Sequence, residues 1–242
     1  MHDIYTFAKE VEIDDVKELL DQMITCNTAI AQEGMHGDYG ANIGKVIAIR
    51  KDLPSLLKAY AAAGSDARMN GCELPVVINS GSGNQGLTVS VPLIIYAERE
   101  HLDKEKLYRA LVISNLTAIH LKTEIGRLSA FCGAVSAGAA CGAGLAYLKD
   151  ASEEVMNHTI VNALAITSGI ICDGAKASCA AKIAVSVEAG ILGYDMYMNG
   201  QQFYGGDGII SKGIENTIHN IGVLGSQGMA STDQEIIKIM CE

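Results

Sequence analysis

Thirteen of the twenty residues from Ser129 to Leu148 are Gly, Ala or Ser, and no Asp, Glu, Lys or Arg occurs between Leu128 and Leu148. Each glycine inside a helix costs about 1 kcal/mol relative to alanine. A chain that accepts that cost repeatedly needs the space that missing side chains leave, because small residues let neighbouring backbones approach closely. The stretch predicts a crowded, buried central helix. A second uncharged run extends from Val155 to Cys172. Both runs are long enough to raise the question of a membrane span. The first is dominated by Gly, Ala and Ser, and the second carries Asn157, His158, Thr159, Asn162, Thr167 and Ser168, all poor substitutes for Leu or Ile in lipid. Buried helices of a soluble protein are therefore expected, with no membrane partner.

Helical signals recur along the rest of the chain. From Ile13, the apolar residues Val16, Leu19, Leu20, Met23 and Ile30 follow helical spacing behind Asp14 and Asp15, which suit the positive end of a helix. Gly34 to Gly44 reads as a turn-rich segment. Pro54 suits a first helical turn, opening a helix through Leu56, Leu57 and Tyr60 to Ala63. Leu74 to Asn79 is a short apolar run that ends in a Gly-rich loop and feeds a buried helix over Leu87 to Ala97. Asp103 and Ser152 read as helix caps, and Thr232-Asp-Gln-Glu235 has the spacing of a reciprocal capping box that starts the last helix, toward Cys241. Strand and helix do not alternate as a parallel sheet requires. The predicted class is mostly α, with buried Gly/Ala-rich central helices. Three prolines and no Pro/Ser-rich linker in 242 residues predict a single domain over 1–242.

The formal charge of -10 argues against nucleic acid or an anionic membrane as partner, since both reward basic patches. A small zwitterionic metabolite is compatible. The first residues, Met1-His-Asp-Ile-Tyr, lack the basic and apolar regions of a signal peptide, so a cytoplasmic location with reduced thiols is expected. Self-association as a homo-oligomer is expected as well.

Seven cysteines without a secretory signal make a disulfide framework a poor reading, and clustered cysteines then suit metal binding or catalysis. Cys132, Cys172 and Cys179 lie in Gly/Ala/Ser-rich surroundings, the last two with six residues between them. Thiolates are soft donors that select zinc, copper(I) or iron-sulfur clusters. Zinc falls behind, because no histidine stands two to four residues from a cysteine as structural zinc sites usually require. Three thiolates on a cluster would leave one iron open as a Lewis acid. Burial as core filler is the competing reading for any one cysteine, and Cys141 is close enough to compete with Cys132.

Asn79-Ser-Gly-Ser-Gly-Asn-Gln-Gly86 is the second candidate. Ser80, Gly81, Ser82, Gly83, Asn84 and Gln85 offer backbone N–H groups and side-chain donors ahead of a helix N-terminus, a fit for a carboxylate or phosphate. A Walker loop is excluded by the missing Lys, and a dinucleotide fingerprint by the missing strand context. A purely structural turn is the alternative. Asp173, Lys176 and Lys182 surround the cysteine pair. A lysine there could neutralise thiolate charge or, if desolvated, act as a base, and Lys176 is the candidate base. Solvated surface lysines are the alternative.

Together Gly64-Ser-Asp-Ala-Arg-Met, Cys72 through Pro75, Val76 through Pro92, Cys132-Gly-Ala-Val-Ser-Ala-Gly and Ile171 through Lys182 resemble the L-cysteine desulfidase family, which is related to the α-chain domain of iron-sulfur L-serine dehydratases. The resemblance covers nearly the whole chain. It implies a helical domain with a 4Fe-4S cluster held by Cys132, Cys172 and Cys179. It also implies β-elimination from L-cysteine or L-serine, giving pyruvate, ammonia and sulfide or water, with the Ser80 to Gly86 loop positioning the substrate carboxylate. Family members carry a further long N-terminal segment with a cysteine thought to take part in catalysis; Cys26 does not map to it. A second chain supplying that segment is an expected partner, and a cluster-binding subunit without its own turnover is the alternative. In related serine dehydratases a C-terminal cysteine can fold back onto the open iron, and Cys241 matches it in position. A zinc-stabilised helical binding protein is the third reading.

Overall fold

Helices follow one another through the chain in the computed structural model, which describes residues 1–126 and 129–242. Arg127 and Leu128 lie outside the described residues, so the uncharged stretch is followed here from Ser129. The helices are α1 (His2–Glu10), α2 (Ile13–His36), α3 (Ile43–Ala48), α4 (Leu53–Met69), α5 (Gly83–Arg99) and α6 (Lys104–Ile125), then α7 (Gly133–Leu148), α8 (Glu153–Thr167), α9 (Cys179–Met198), α10 (Ile214–Val223) and α11 (Ala230–Cys241). A π-helical turn, Leu224–Gly228, follows α10. Among the described residues there is no strand, only isolated bridges between Asn79 and Ser82 and between Phe131 and Ile171. The mostly α expectation holds.

The small-residue stretch forms α7, which is buried over nearly its whole length. It packs against α5, α6, α8 and α9, while α4 joins α2, α3, α5 and α9 on the other side. At the crossing of α7 and α9, a Cβ on Gly138 would lie 2.4 Å from the Ser186 carbonyl oxygen. Only a glycine lets the two backbones touch there. No helix among the described residues is long and apolar enough to cross a membrane.

Local signals set most helix starts. The Asp103 side chain accepts from the Lys106 N–H at 2.8 Å, and Ser152 Oγ accepts from the Val155 N–H at 3.4 Å. Asp52 caps α4 by accepting from the Ser55 N–H, with Pro54 in the first turn. Two expectations need correction. Gly34 does not begin a turn: α2 continues to His36, and a Cβ on Gly34 would lie 1.9 Å from the Ala63 carbonyl oxygen, so this glycine serves the crossing of α2 and α4. Thr232 does not start the last helix either. The chain is already helical from Ala230, with Met229 at the cap position and no side-chain capping bond, because the π-helical turn before it carries the backbone round without a break.

Candidate functional site

The loop before α5 is held from both sides. The Asn27 side chain grips the backbone of Val77, accepting from its N–H at 2.8 Å and donating to its carbonyl at 3.3 Å. Asn79 and Ser82 exchange backbone hydrogen bonds of 3.1 and 3.0 Å, and Asn79 Nδ2 donates to Asn115 Oδ1 at 2.9 Å. Between them Ser80 and Gly81 have φ of 47° and 81°, the left-handed pair of a tight hairpin turn. Glycine adopts this freely, whereas Ser80 holds it at a cost, a strain that gathers at functional sites. The turn delivers Ser82 to the α5 N-cap, where no side chain caps the helix.

A second piece of backbone brings two cysteines together. Cys132 donates its N–H to the Ile170 carbonyl at 3.2 Å, and Cys172 donates to the Ala130 carbonyl at 2.6 Å. This short antiparallel bridge around buried Phe131 places Cys132, the α7 N-cap, next to Cys172. The Cys172 side chain beside it, with burial, pushes Cys132 up. The Cys132 side chain, the Gly174 N–H and the nearby Lys182 ammonium bring Cys172 down to about 6 despite its burial. Of the two, Cys172 is the more readily ionised. Cys179 opens α9, and its Sγ accepts from the Lys176 N–H at 3.5 Å.

These pieces meet in one cavity of about 330 Å³. Its lining includes Ser80, Gly81, Ser82, Asn84 and Gln85 from the loop, and all three cysteines, Cys132, Cys172 and Cys179. The N-termini of α5, α7 and α9 all open onto it, and helix N-termini carry partial positive charge. Its charged lining residues are Arg68, Lys122 and Lys182; no Asp or Glu appears among the described lining residues. Lys182 pairs with Asp173 just outside. Lys122 is 8% exposed; burial lowers its pKa, opposed by the neighbouring Cys172 and Cys132 side chains. Three basic side chains and no carboxylate among the described lining residues, in a chain of charge -10, suit the cavity to an anion.

The other predicted residues stand apart. Gly83 lies behind the cavity against Arg68. The Lys176 side chain is exposed and lines no part of it. Cys141 is fully buried in the core, where burial drives its pKa up. Cys241 is exposed at the end of α11, although the neighbouring Met240 methyl would lie 3.4 Å from a Cβ on Gly174, so this helix end approaches the Cys172 to Cys179 loop. A larger cavity of about 640 Å³, between the start of α8 and the segment 202–214, contains none of the predicted residues. Among the described residues no three His, Cys, Asp or Glu groups stand close enough to hold a single metal ion.

Arg68 and Lys122 carry no assignment from the sequence. For Lys122 a signal existed: it falls four residues after Ala118 and eight after Ser114, on the buried stripe of α6, where lysine is rare unless used. Arg68 lies within the Gly64-Ser-Asp-Ala-Arg-Met motif, and only the fold turns it toward the loop.

Residues 2–238 match the family model described as serine dehydratase alpha chain. The UPF0597 protein of Desulfitobacterium hafniense is 64% identical over 239 residues, which cover 98% of this chain and 56% of that protein. Those of Finegoldia magna and Lachnoclostridium phytofermentans are 51% and 52% identical, over 99% and 98% of this chain and 58% and 57% of their own lengths. The chain spans just over half the length of these relatives. No solved structure matches.

Proposed function

This chain belongs to the serine dehydratase alpha-chain family, and from that premise we propose that it is the cluster-holding domain of a lyase. The reaction is β-elimination from L-cysteine, as in the L-cysteine desulfidases, or from L-serine. The observation that carries this reading is the convergence of three thiols, three helix N-termini and three basic side chains on one cavity, with no carboxylate among its described lining residues.

The donor set fits a 4Fe-4S cluster held by Cys132, Cys172 and Cys179. A single zinc ion needs its thiolates about 2.3 Å from one centre, and no such set is assembled among the described residues; a cluster spreads its thiolates over several iron atoms. Cys172 is the more readily ionised thiol of its pair, and the nearby Lys182 ammonium offsets negative charge. When bound, the cluster would supply an open iron as a Lewis acid toward the leaving group and carboxylate.

The remaining work falls to the chain. The Ser80 to Gln85 loop and the α5 N-terminus orient the substrate carboxylate. Of the two lysines in the cavity, Lys182 is tied to Asp173, and Lys122, which lines the cavity and whose neutral form is favoured by burial, is the candidate to take the α-proton. This assigns the base to Lys122 in preference to the exposed Lys176. Loss of that proton and of sulfide or water leaves an aminoacrylate, which tautomerises and hydrolyses to pyruvate and ammonia. Phe131 and Ile183 form apolar wall in the same cavity and limit water. Seven free cysteines suit a reducing cytoplasm.

One fact favours a second reading, in which turnover requires a partner chain: the relatives are nearly twice as long. The test is pyruvate release from L-cysteine and L-serine after anaerobic reconstitution with iron and sulfide, with and without a chain equivalent to the rest of a relative. Release by one preparation supports the lyase, and the preparation that gives it decides between the readings. No release from either overturns both. Lys122→Met is expected to lower kcat by about 10²-fold or more with the cluster absorption retained. Light scattering during chromatography measures the proposed self-association.

A further inference from the structure

Cys172 and Cys179 are joined by a short loop, Asp173 to Ser178, and one ion pair spans it. Lys182 stands three residues after Cys179 on α9, and its Nζ pairs with Oδ1 of Asp173, next to Cys172. The Lys182 side chain is 19% exposed and that of Asp173 43%. The pair therefore sits partly out of water, where salt screens it less than at an open surface. The other side-chain hydrogen bonds within the loop involve sulfur. The Lys176 N–H donates to Cys179 Sγ at 3.5 Å, and the Cys179 thiol donates to the Gly174 carbonyl at 3.7 Å. A thiol that becomes a metal ligand gives up its proton, so the second of these contacts ends on ligation. The ion pair does not depend on that proton.

Lys182 also faces inward. It lines the cavity together with Cys132, Cys172 and Cys179, while Asp173 does not. Burial works against the Lys182 ammonium, and Asp173, Cys132 and Cys179 favour it. The same side chain thus ties down the loop between two of the thiols and brings a positive charge to the set. No step of the reaction uses Asp173, and its contact with Lys182 is what gives it a place in the site.

Resting on the lyase reading, we propose that Asp173 is a positioning residue that acts through Lys182. The pair fixes the spacing of Cys172 and Cys179 and holds one ammonium beside the three sulfurs. A positive charge there draws electron density from the thiolates, which raises the reduction potential of a cluster they hold and leaves its open iron a stronger Lewis acid.

Anaerobically reconstituted protein tests this with two readouts, the midpoint potential of the cluster's one-electron reduction and the rate at which EDTA bleaches its visible absorption. Lys182→Met is expected to lower the midpoint by about 59 mV, a tenfold fall in the reduced-to-oxidised ratio at a fixed potential. Lys182→Arg keeps the charge, and its midpoint should stay near that of the wild type. Asp173→Asn should speed bleaching by about tenfold or more, and should add nothing in the Lys182→Met background, because Asp173 acts through Lys182. Thermal melts followed by circular dichroism check that each variant folds. If Lys182→Met does not, the bleaching rate of the half-exposed Asp173→Asn and the midpoint of Lys182→Arg still decide the matter. An unchanged midpoint in Lys182→Met, unchanged bleaching in Asp173→Asn, equal acceleration by Asp173→Asn in both backgrounds, or a midpoint in Lys182→Arg displaced by 59 mV or more overturns the proposal. A wild-type chain that takes up no iron overturns it together with the cluster. The two readings otherwise fail separately. The expected shifts without pyruvate release from either substrate sink the lyase alone, whereas pyruvate release with both readouts unchanged in the variants sinks the positioning role alone.

Discussion

Asp66 is a buried carboxylate, 1% exposed, whose Oδ2 accepts from the Gly44 N–H at 2.9 Å while Oδ1 has no partner. Burial raises its pKa, and the Gly44 and Ile43 N–H groups counter only part of that rise. The folded chain therefore keeps this proton to a higher pH than the unfolded chain does. The stability contributed is fully present below the ordinary carboxylate value of about 3.9 and is lost as pH rises through the raised folded value. Asp66→Asn removes the titration and keeps an acceptor for Gly44. Urea midpoints at about pH 4 and about pH 7 should show the variant gaining on wild type at the higher pH. A gap that stays constant contradicts this account of Asp66. The same physics explains why Lys122 and Arg68 went unassigned in the sequence. What a charged side chain does depends on its burial and facing groups, and both are set by residues far away in the chain.

The helices were legible wherever the signal was local. Asp103 and Ser152 each reach an N–H three residues on, a contact that the sequence spacing contains in full. Thr232 shows the limit of such signals. Its capping-box spacing is real, but the π-helical turn upstream has already committed the backbone to helix, so no free N-terminus exists there for it to cap. The bridge that pairs Cys132 with Cys172 joins residues with no periodic relation, and nothing local announces it. The small-residue stretch was informative because it constrains packing directly. Gly138→Ala should destabilise by about 1–3 kcal/mol or more, since the added methyl meets backbone of α9 that cannot swing away. Gly169→Ala is the control, with nothing within 4 Å of its Cβ position, and it should be close to neutral. Equal effects in denaturant titrations would show that the crossing of α7 and α9 is looser than described.

At the scale of the whole molecule, a chain of charge -10 gathers Arg68, Lys122, Lys182 and three helix N-termini around one space. The composition argued against nucleic acid and was compatible with a small metabolite, and the cysteines and the Gly-rich loop were each visible as motifs. Their meeting in one cavity was not visible, because it depends on the α5, α7 and α9 starts arriving together. The central claim is that Cys132, Cys172 and Cys179 hold an iron-sulfur cluster there. Iron and acid-labile sulfide, measured on anaerobically reconstituted protein, test it most directly. The account predicts about four of each per chain in the wild type and marked loss in Cys132→Ala, Cys172→Ala and Cys179→Ala, with Cys141→Ala unaffected. Zinc in place of iron, or an intact cluster in all three variants, would contradict it.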